Sequence, residues 1–229
     1  MPYPEADADE TDRVPPAILE QLHHVQWELV QATSTYTVLE DIYPDDEGVI
    51  ELLRRCSPVA FSTIYDALME RYILGISRLL DPPRTGRAKN LSLFGLADSL
   101  RKEDHIDLSD RIDSQLSKLT TAKAAVQSFR NQVLAHNDRS TNAILQSHPG
   151  VKYRQLSEIR TVGETVVNDV RSEFGVIHFC FDMLVGCDAT GIVRSLKHLE
   201  RFREVRDEAR NFSVPCDDVR RRLLELPYV

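Results

Sequence analysis

Apolar residues recur at spacings of three and four along most of this chain, the pattern of helices that bury one face. After the breaker Pro15-Pro16, the residues Ile18, Leu22, Val25, Leu29, Ala32, Tyr36 and Leu39 form one continuous stripe, which predicts a long first helix ending by Pro44. A short helix is expected over Gly48 to Arg55, and Ser57-Pro58 opens the next, whose stripe runs through Phe61, Ile64, Leu68, Tyr72, Ile76 and Leu79. The polar, breaker-rich segment Pro82 to Lys89 reads as a connecting loop, with Asn90 marking a new helix start and a helix over Leu91 to Lys102. A fifth helix is predicted from near Leu108 to His136. Asn137 to Lys152 breaks the pattern with His148-Pro149-Gly150, and helices return over Leu156 to Leu184 and Gly191 to Ala209.

No strand pair with hairpin chemistry stands out, and the β-branched residues mostly fall at helical spacing. The expectation is an all-α bundle without a Gly-rich phosphate loop, a dinucleotide fingerprint or an internal repeat.

At 229 residues, 42% hydrophobic and 28% charged, the chain can bury a core, and it has no apolar run near the ~20 residues a membrane helix requires. The opening residues Met1 to Asp7 lack both a basic region and an apolar core, so no signal peptide and a cytoplasmic protein are expected. Cys56, Cys180, Cys187 and Cys216 show no C-x-x-C spacing, which argues against zinc. Cys56 and Cys180, in apolar surroundings, read as small buried hydrophobes. His23 and His24 are adjacent on the first helix and so face different directions, which disfavours a shared metal; no metal or cofactor is expected.

The net charge of −8 disfavours a protein that coats nucleic acid by general electrostatics. Half of that excess, a net of −4, lies in residues 1–14, while residues 121–160 carry a net of +4. The acidic start reads as a disordered tail over 1–15, and the basic region surrounds the chain's chief candidate chemistry, Phe129 to Asp138.

Within that run Arg130 precedes His136 on one predicted helix. An arginine can hold a phosphate through a planar fork of donors, and a histidine can move a proton near neutral pH. The helix stripe passes through Ile112, Leu116, Leu119, Ala122, Val126, Phe129 and Val133. On a regular helix its centre lies about 60° from Arg130 on one side and about 60° from His136 on the other, with about 9 Å between the two along the axis. They therefore flank a packed face, too far apart for a mutual hydrogen bond yet able to share a phosphate. A two-fold interface at that rim would gather two such pairs around one cleft. Asn131 points about 160° away from the stripe centre and ranks as support. Asn137 falls near the side of Arg130, and Asp138 can orient the imidazole or end the helix. Lys123 and Arg139 are candidates for contact with a nucleic-acid backbone. The plainer alternative is a packed or surface histidine and an arginine paired with an acid.

The pattern Arg130-Asn131, three residues, then Ala135-His136 resembles the Arg-x(4-6)-His motif of the HEPN superfamily, and most closely its abortive-infection branch, where the motif reads Arg-Asn-Lys-x-x-Ala-His-x-Asp. Gln132 stands at the lysine position and Asp138 at the final acid. A second likeness is the upstream run Ile76 to Asp81, a loop, then Asn90 to Leu93. The resemblance covers roughly residues 16 to 185. It implies an antiparallel helical bundle, here with additional C-terminal helices, as a domain over 16–210 followed by a tail or short docking helix over 211–229.

For function, the resemblance implies a metal-independent endoribonuclease of a toxin or phage-defence system, homodimeric, with Arg130 and His136 catalytic and a cognate antitoxin or defence-system protein as a further partner. His136 would serve as general base or acid while the RNA 2′-hydroxyl attacks the adjacent phosphate, and Arg130 would stabilise the added charge. HEPN toxins paired with nucleotidyltransferase antitoxins usually carry tyrosine two residues after the histidine; Asp138 occupies that position, so silencing through that tyrosine is not implied. The alternative within the family is a non-catalytic module that binds nucleotide or RNA or joins a defence assembly.

Overall fold

The first predicted stripe is realised in α2 (Pro16–Ile42), where Ile18, Leu22, Val25 and Leu29 are fully buried. The computed structural model describes residues 8–130, 153–181 and 189–210. These divide into two compact units, one drawn from Met1–Tyr36 and Leu68–Val185, the other from Thr37–Ala67 and Gly186–Val229.

In the first unit, α2 lies between α4 (Pro58–Leu79) and α8 (Tyr153–Glu173). Glu28 meets Arg78 and Gln31 meets Arg71, so α2 and α4 run antiparallel. Gln26 meets Arg171 and Thr33 meets Glu164, which makes α8 antiparallel to α2 as well. The rest is built from α5 (Leu93–Lys102), α6 (Ile106–Ser117) and α7 (Thr120–Phe129). Gln115 bonds Asp169, and α7 also packs on α8. The all-helical expectation holds, and most positions of the predicted stripes in these helices are buried.

Several expectations change. The predicted fifth helix is two, because the backbone N–H groups of Lys118 and Leu119 bond back only three residues, to Gln115 and Leu116. Its stripe nevertheless stays inside, since Ile112, Leu116, Leu119, Ala122 and Val126 are all buried. The loop after α4 contains a two-residue antiparallel ribbon, β1 (Arg84–Thr85) with β2 (Ala88–Lys89), turned at Gly86, whose φ of 60° suits glycine.

The helix expected to reach Leu184 stops at Glu173. Gly175 takes φ 65°, its N–H bonds Ser172, and the N–H of Val176 bonds Arg171, the paired closure that satisfies the last carbonyls of a helix. Ile177, which falls within that expected helix at helical spacing from Phe174 and Phe181, is 85% exposed. Cys180 is exposed and Cys56 half-buried, not the buried hydrophobes expected.

The acidic start is not all tail. Residues Ala8–Arg13 form α1, because the Glu10 carboxylate, 6% exposed, meets Arg171 at 2.7 Å and His23 at 3.3 Å. Gln26 accepts a further bond from Arg171, so the buried charge is paired and satisfied. Residues 1–7 lie outside the described part.

The second unit packs α3 (Glu47–Cys56) against α9 (Ala189–Arg210) around Ile42, Val49, Leu53, Ala189 and Val193. Asp46 caps α3 by accepting from the N–H groups of Gly48 and Val49, and Arg55 pairs with Glu200 at 2.7 Å. The Tyr43 hydroxyl donates to the Phe61 carbonyl, and burial raises the phenol from its ordinary value to about 12. Ile64, expected in the core stripe of α4, is exposed. The proposed docking tail over 211–229 lies outside the described residues. Among the described residues no helix is long and apolar enough to cross a membrane.

Candidate functional site

Arg130 follows the last residue of α7 with its backbone still helical, φ −54° and ψ −47°. Phe129 and Val126 bury the helix face beside it, so the guanidinium leaves at the edge of the packed stripe, as the periodicity predicts. Its Nη1 donates to the Asp81 carboxylate at 2.8 Å and to the Ser77 hydroxyl at 3.2 Å. The arginine side chain is 40% exposed and that of Asp81 25%. Two bonds through one nitrogen leave the fork's other donors uncommitted by these partners, because a guanidinium carries five N–H groups.

Both acceptors come from the end of α4. Ser77 is buried, and the N–H groups of Leu80 and Asp81 bond back to Ser77 and Arg78, tightening the chain into a final turn. That turn returns Asp81 to the face of Ser77. Charge and hydroxyl thus converge on one nitrogen.

The same corner is fastened from behind. The Ser92 hydroxyl donates to the Asp81 carbonyl at 2.8 Å while accepting the Gly95 N–H at 3.1 Å, which makes Ser92, and not Asn90, the cap of α5. Asn90 instead ties the loop: its side chain donates to the Pro82 carbonyl and the Thr85 hydroxyl, each at 2.7 Å, and its N–H bonds the Pro83 carbonyl. The two upstream runs that carry the second likeness, 76–81 and 90–93, therefore meet at Asp81, whose carboxylate bonds Arg130. Sequence reasoning assigned no role to Ser77 or Asp81. Their spacing of four on a helix end was the available signal.

Lys123 precedes Arg130 by seven residues, about 10 Å along a helix and within about 20° of the same face. Its ammonium sits 4.0 Å from the centroid of Phe94 and borders a pocket of about 550 Å³ that Asp113, Thr120 and Gln127 also line. The remaining predicted site residues, Asn131, His136, Asn137, Asp138 and Arg139, lie outside the described residues, as does Val133 of the stripe. Elsewhere in this unit, His24 is half-buried and lowered from its ordinary value by that burial, with Glu28 opposing and Arg78 reinforcing the shift.

A family model described as AbiU2, of the HEPN type, matches residues 16–188. No curated protein and no solved structure matches the chain.

Proposed function

From the premise that this chain belongs to the AbiU2 family of HEPN proteins, we propose that it is a metal-independent endoribonuclease of a phage-defence or toxin system. The observation that carries the reading is the anchored Arg130. An arginine aimed by a carboxylate and a buried hydroxyl, at the end of the helix leading into the Arg-Asn-x-x-x-Ala-His sequence, suits a phosphate that gains charge during reaction.

His136 removes the proton of an RNA 2′-hydroxyl, whose oxygen attacks the neighbouring phosphorus. The bond to the 5′-oxygen breaks, that oxygen takes a proton from water, the protonated His136 returns its proton to the solvent, and the products carry a 2′,3′-cyclic phosphate and a free 5′-hydroxyl. Arg130 stabilises the charge that builds on the phosphoryl oxygens. Asn131, Asn137 and Asp138 support the pair, and Lys123 and Arg139 hold flanking phosphates. The protein acts in the cytoplasm as a homodimer whose two motifs share a cleft, restrained by a cognate antitoxin or defence-system protein.

The test is cleavage of an end-labelled RNA by the full chain, with product ends identified. Arg130→Ala and His136→Ala are each expected to lower kcat by about a hundred-fold or more, and EDTA to leave it unchanged. Intact RNA with the wild-type protein would leave the second reading, a non-catalytic binding or assembly module. That reading is favoured by the net charge of −8, which suits a module without a general affinity for nucleic acid.

A further inference from the structure

We propose that the ribbon Arg84–Lys89 is a phosphate-gripping finger that holds the single RNA strand entering the Arg130 site, an inference that rests on the ribonuclease reading. Residues 82–90 contain Arg84, Arg87 and Lys89 and no acid, and residues 84–89 are all exposed. In a chain with a net charge of −8, this is a local reversal of sign. Among the described residues none of the three cations has an ion-pair partner, whereas Arg54, Arg55, Arg78, Arg101 and Arg171 do.

The ladder itself points to an anion. Arg84 and Lys89 are direct cross-strand partners, so their side chains leave the same face about 5 Å apart at Cβ, where like charges repel. A two-residue ribbon has little ladder energy to oppose that repulsion. A phosphate between the two heads removes it, and the arginine fork can bind such an oxygen pair bidentately.

The finger is also tied to the reactive corner. Asn90 bonds both its incoming backbone and Thr85, and Ser92 holds the carbonyl of Asp81, whose carboxylate bonds Arg130. Only Pro82-Pro83 separates Asp81 from Arg84, three Cα steps or at most about 10 Å of chain, and the two prolines restrict its backbone. A strand gripped by the finger would thus have its next phosphates near the Arg130 guanidinium. Lys89 also borders a pocket of about 260 Å³ whose rim bears Glu20, Asp98, Lys102 and Glu103.

The experiment measures binding of a fluorescent single-stranded RNA across a salt series, in the His136→Ala background that keeps the RNA whole, with and without Arg84→Ser, Arg87→Ser and Lys89→Ser together. Loss of three phosphate contacts should weaken binding about ten-fold or more and flatten the slope of log affinity against log salt by about 2. Arg84→Ser alone should flatten it by about 0.7, which keeps the result readable if the triple variant does not fold. In the otherwise native chain, the triple change should raise KM while leaving kcat within about two-fold, since uniform binding is what is lost. Unchanged affinity and slope, in a protein whose wild-type form cleaves RNA, would overturn the finger and leave the ribonuclease reading standing. Equal affinity of the wild-type chain for a polyglutamate peptide would overturn the assignment to RNA. A wild-type protein that neither binds nor cleaves RNA removes both readings.

Discussion

The Asp81 carboxylate accepts a 2.8 Å hydrogen bond from Nη1 of Arg130, a residue 49 positions further along the chain. One arm of a planar cation is thereby fixed and the remaining donors are aimed. The pair is part-exposed, so it orients Arg130 more than it stabilises the fold.

Truncation of this pair is expected to separate activity from stability. Asp81→Ala should lower kcat of RNA cleavage by about ten-fold, with Asp81→Asn milder because an acceptor remains. A double-mutant cycle on stability between Asp81→Ala and Arg130→Ala should return a coupling of only about 0.5 to 1 kcal/mol. Urea melts and initial rates of the four proteins check both statements.

Arg130→Lys keeps the charge but loses the planar fork, so the donors that meet Asp81 and Ser77 and those offered to a phosphate no longer sit on separate nitrogens. Cleavage should fall by about a hundred-fold with little change in melting temperature. Near-native activity of this variant would show that charge alone suffices at the site.

Removing the Glu10 carboxylate leaves Arg171 in a buried setting with Gln26, the Ile177 carbonyl and the Phe179 ring as its partners among the described residues. Glu10→Ala should therefore destabilise the protein by about 2 to 3 kcal/mol, toward the low end for a broken buried pair. Denaturant unfolding measures it, and a change under 1 kcal/mol would mean that α1 contributes nothing to the unit.

Gly175→Ala forces a side chain into a left-handed backbone and brings its Cβ to 3.4 Å from Nη1 of Arg13, which bonds the Gly175 carbonyl. A loss of about 1 to 2 kcal/mol is expected. The unfolding midpoint of this single variant checks it.

Burial lowers His24 below 6.5, so between its folded and unfolded values the unfolded chain binds more protons. This contribution to stability is fully present above pH 6.5 and is lost as pH falls through the folded value. The urea midpoint should drop on acidification below that pH, and His24→Gln should reduce the dependence. The same dependence in both proteins would assign it to other groups.

Much of this architecture is legible because it is local. Ile18, Leu22, Val25 and Leu29 must share a helix face whatever they pack against, and the stripe from Ile112 to Phe129 stays buried even across the break at Lys118 and Leu119. Ends are less legible. Phe174, Ile177 and Phe181 keep helical spacing beyond Glu173, but Gly175 closes the helix, and an apolar period carries no information about a left-handed residue unless glycine is weighed against it. Glu10 likewise reads as a solvated charge until its partner Arg171, 161 residues away, is seen.

The residues alone establish a helical chain, an arginine at the edge of a buried stripe and a sequence like the HEPN motif, since periodicity and short spacing depend only on neighbours along the backbone. That Arg130 is held by Ser77 and Asp81, and that Ser92 and Asn90 fasten a basic finger to the same corner, required the fold. Hydrogen bonds and ion pairs act over about 3 Å between atoms whose separation along the chain has no bearing on their energy, so only the packing of α4, α5 and α7 could bring these partners together.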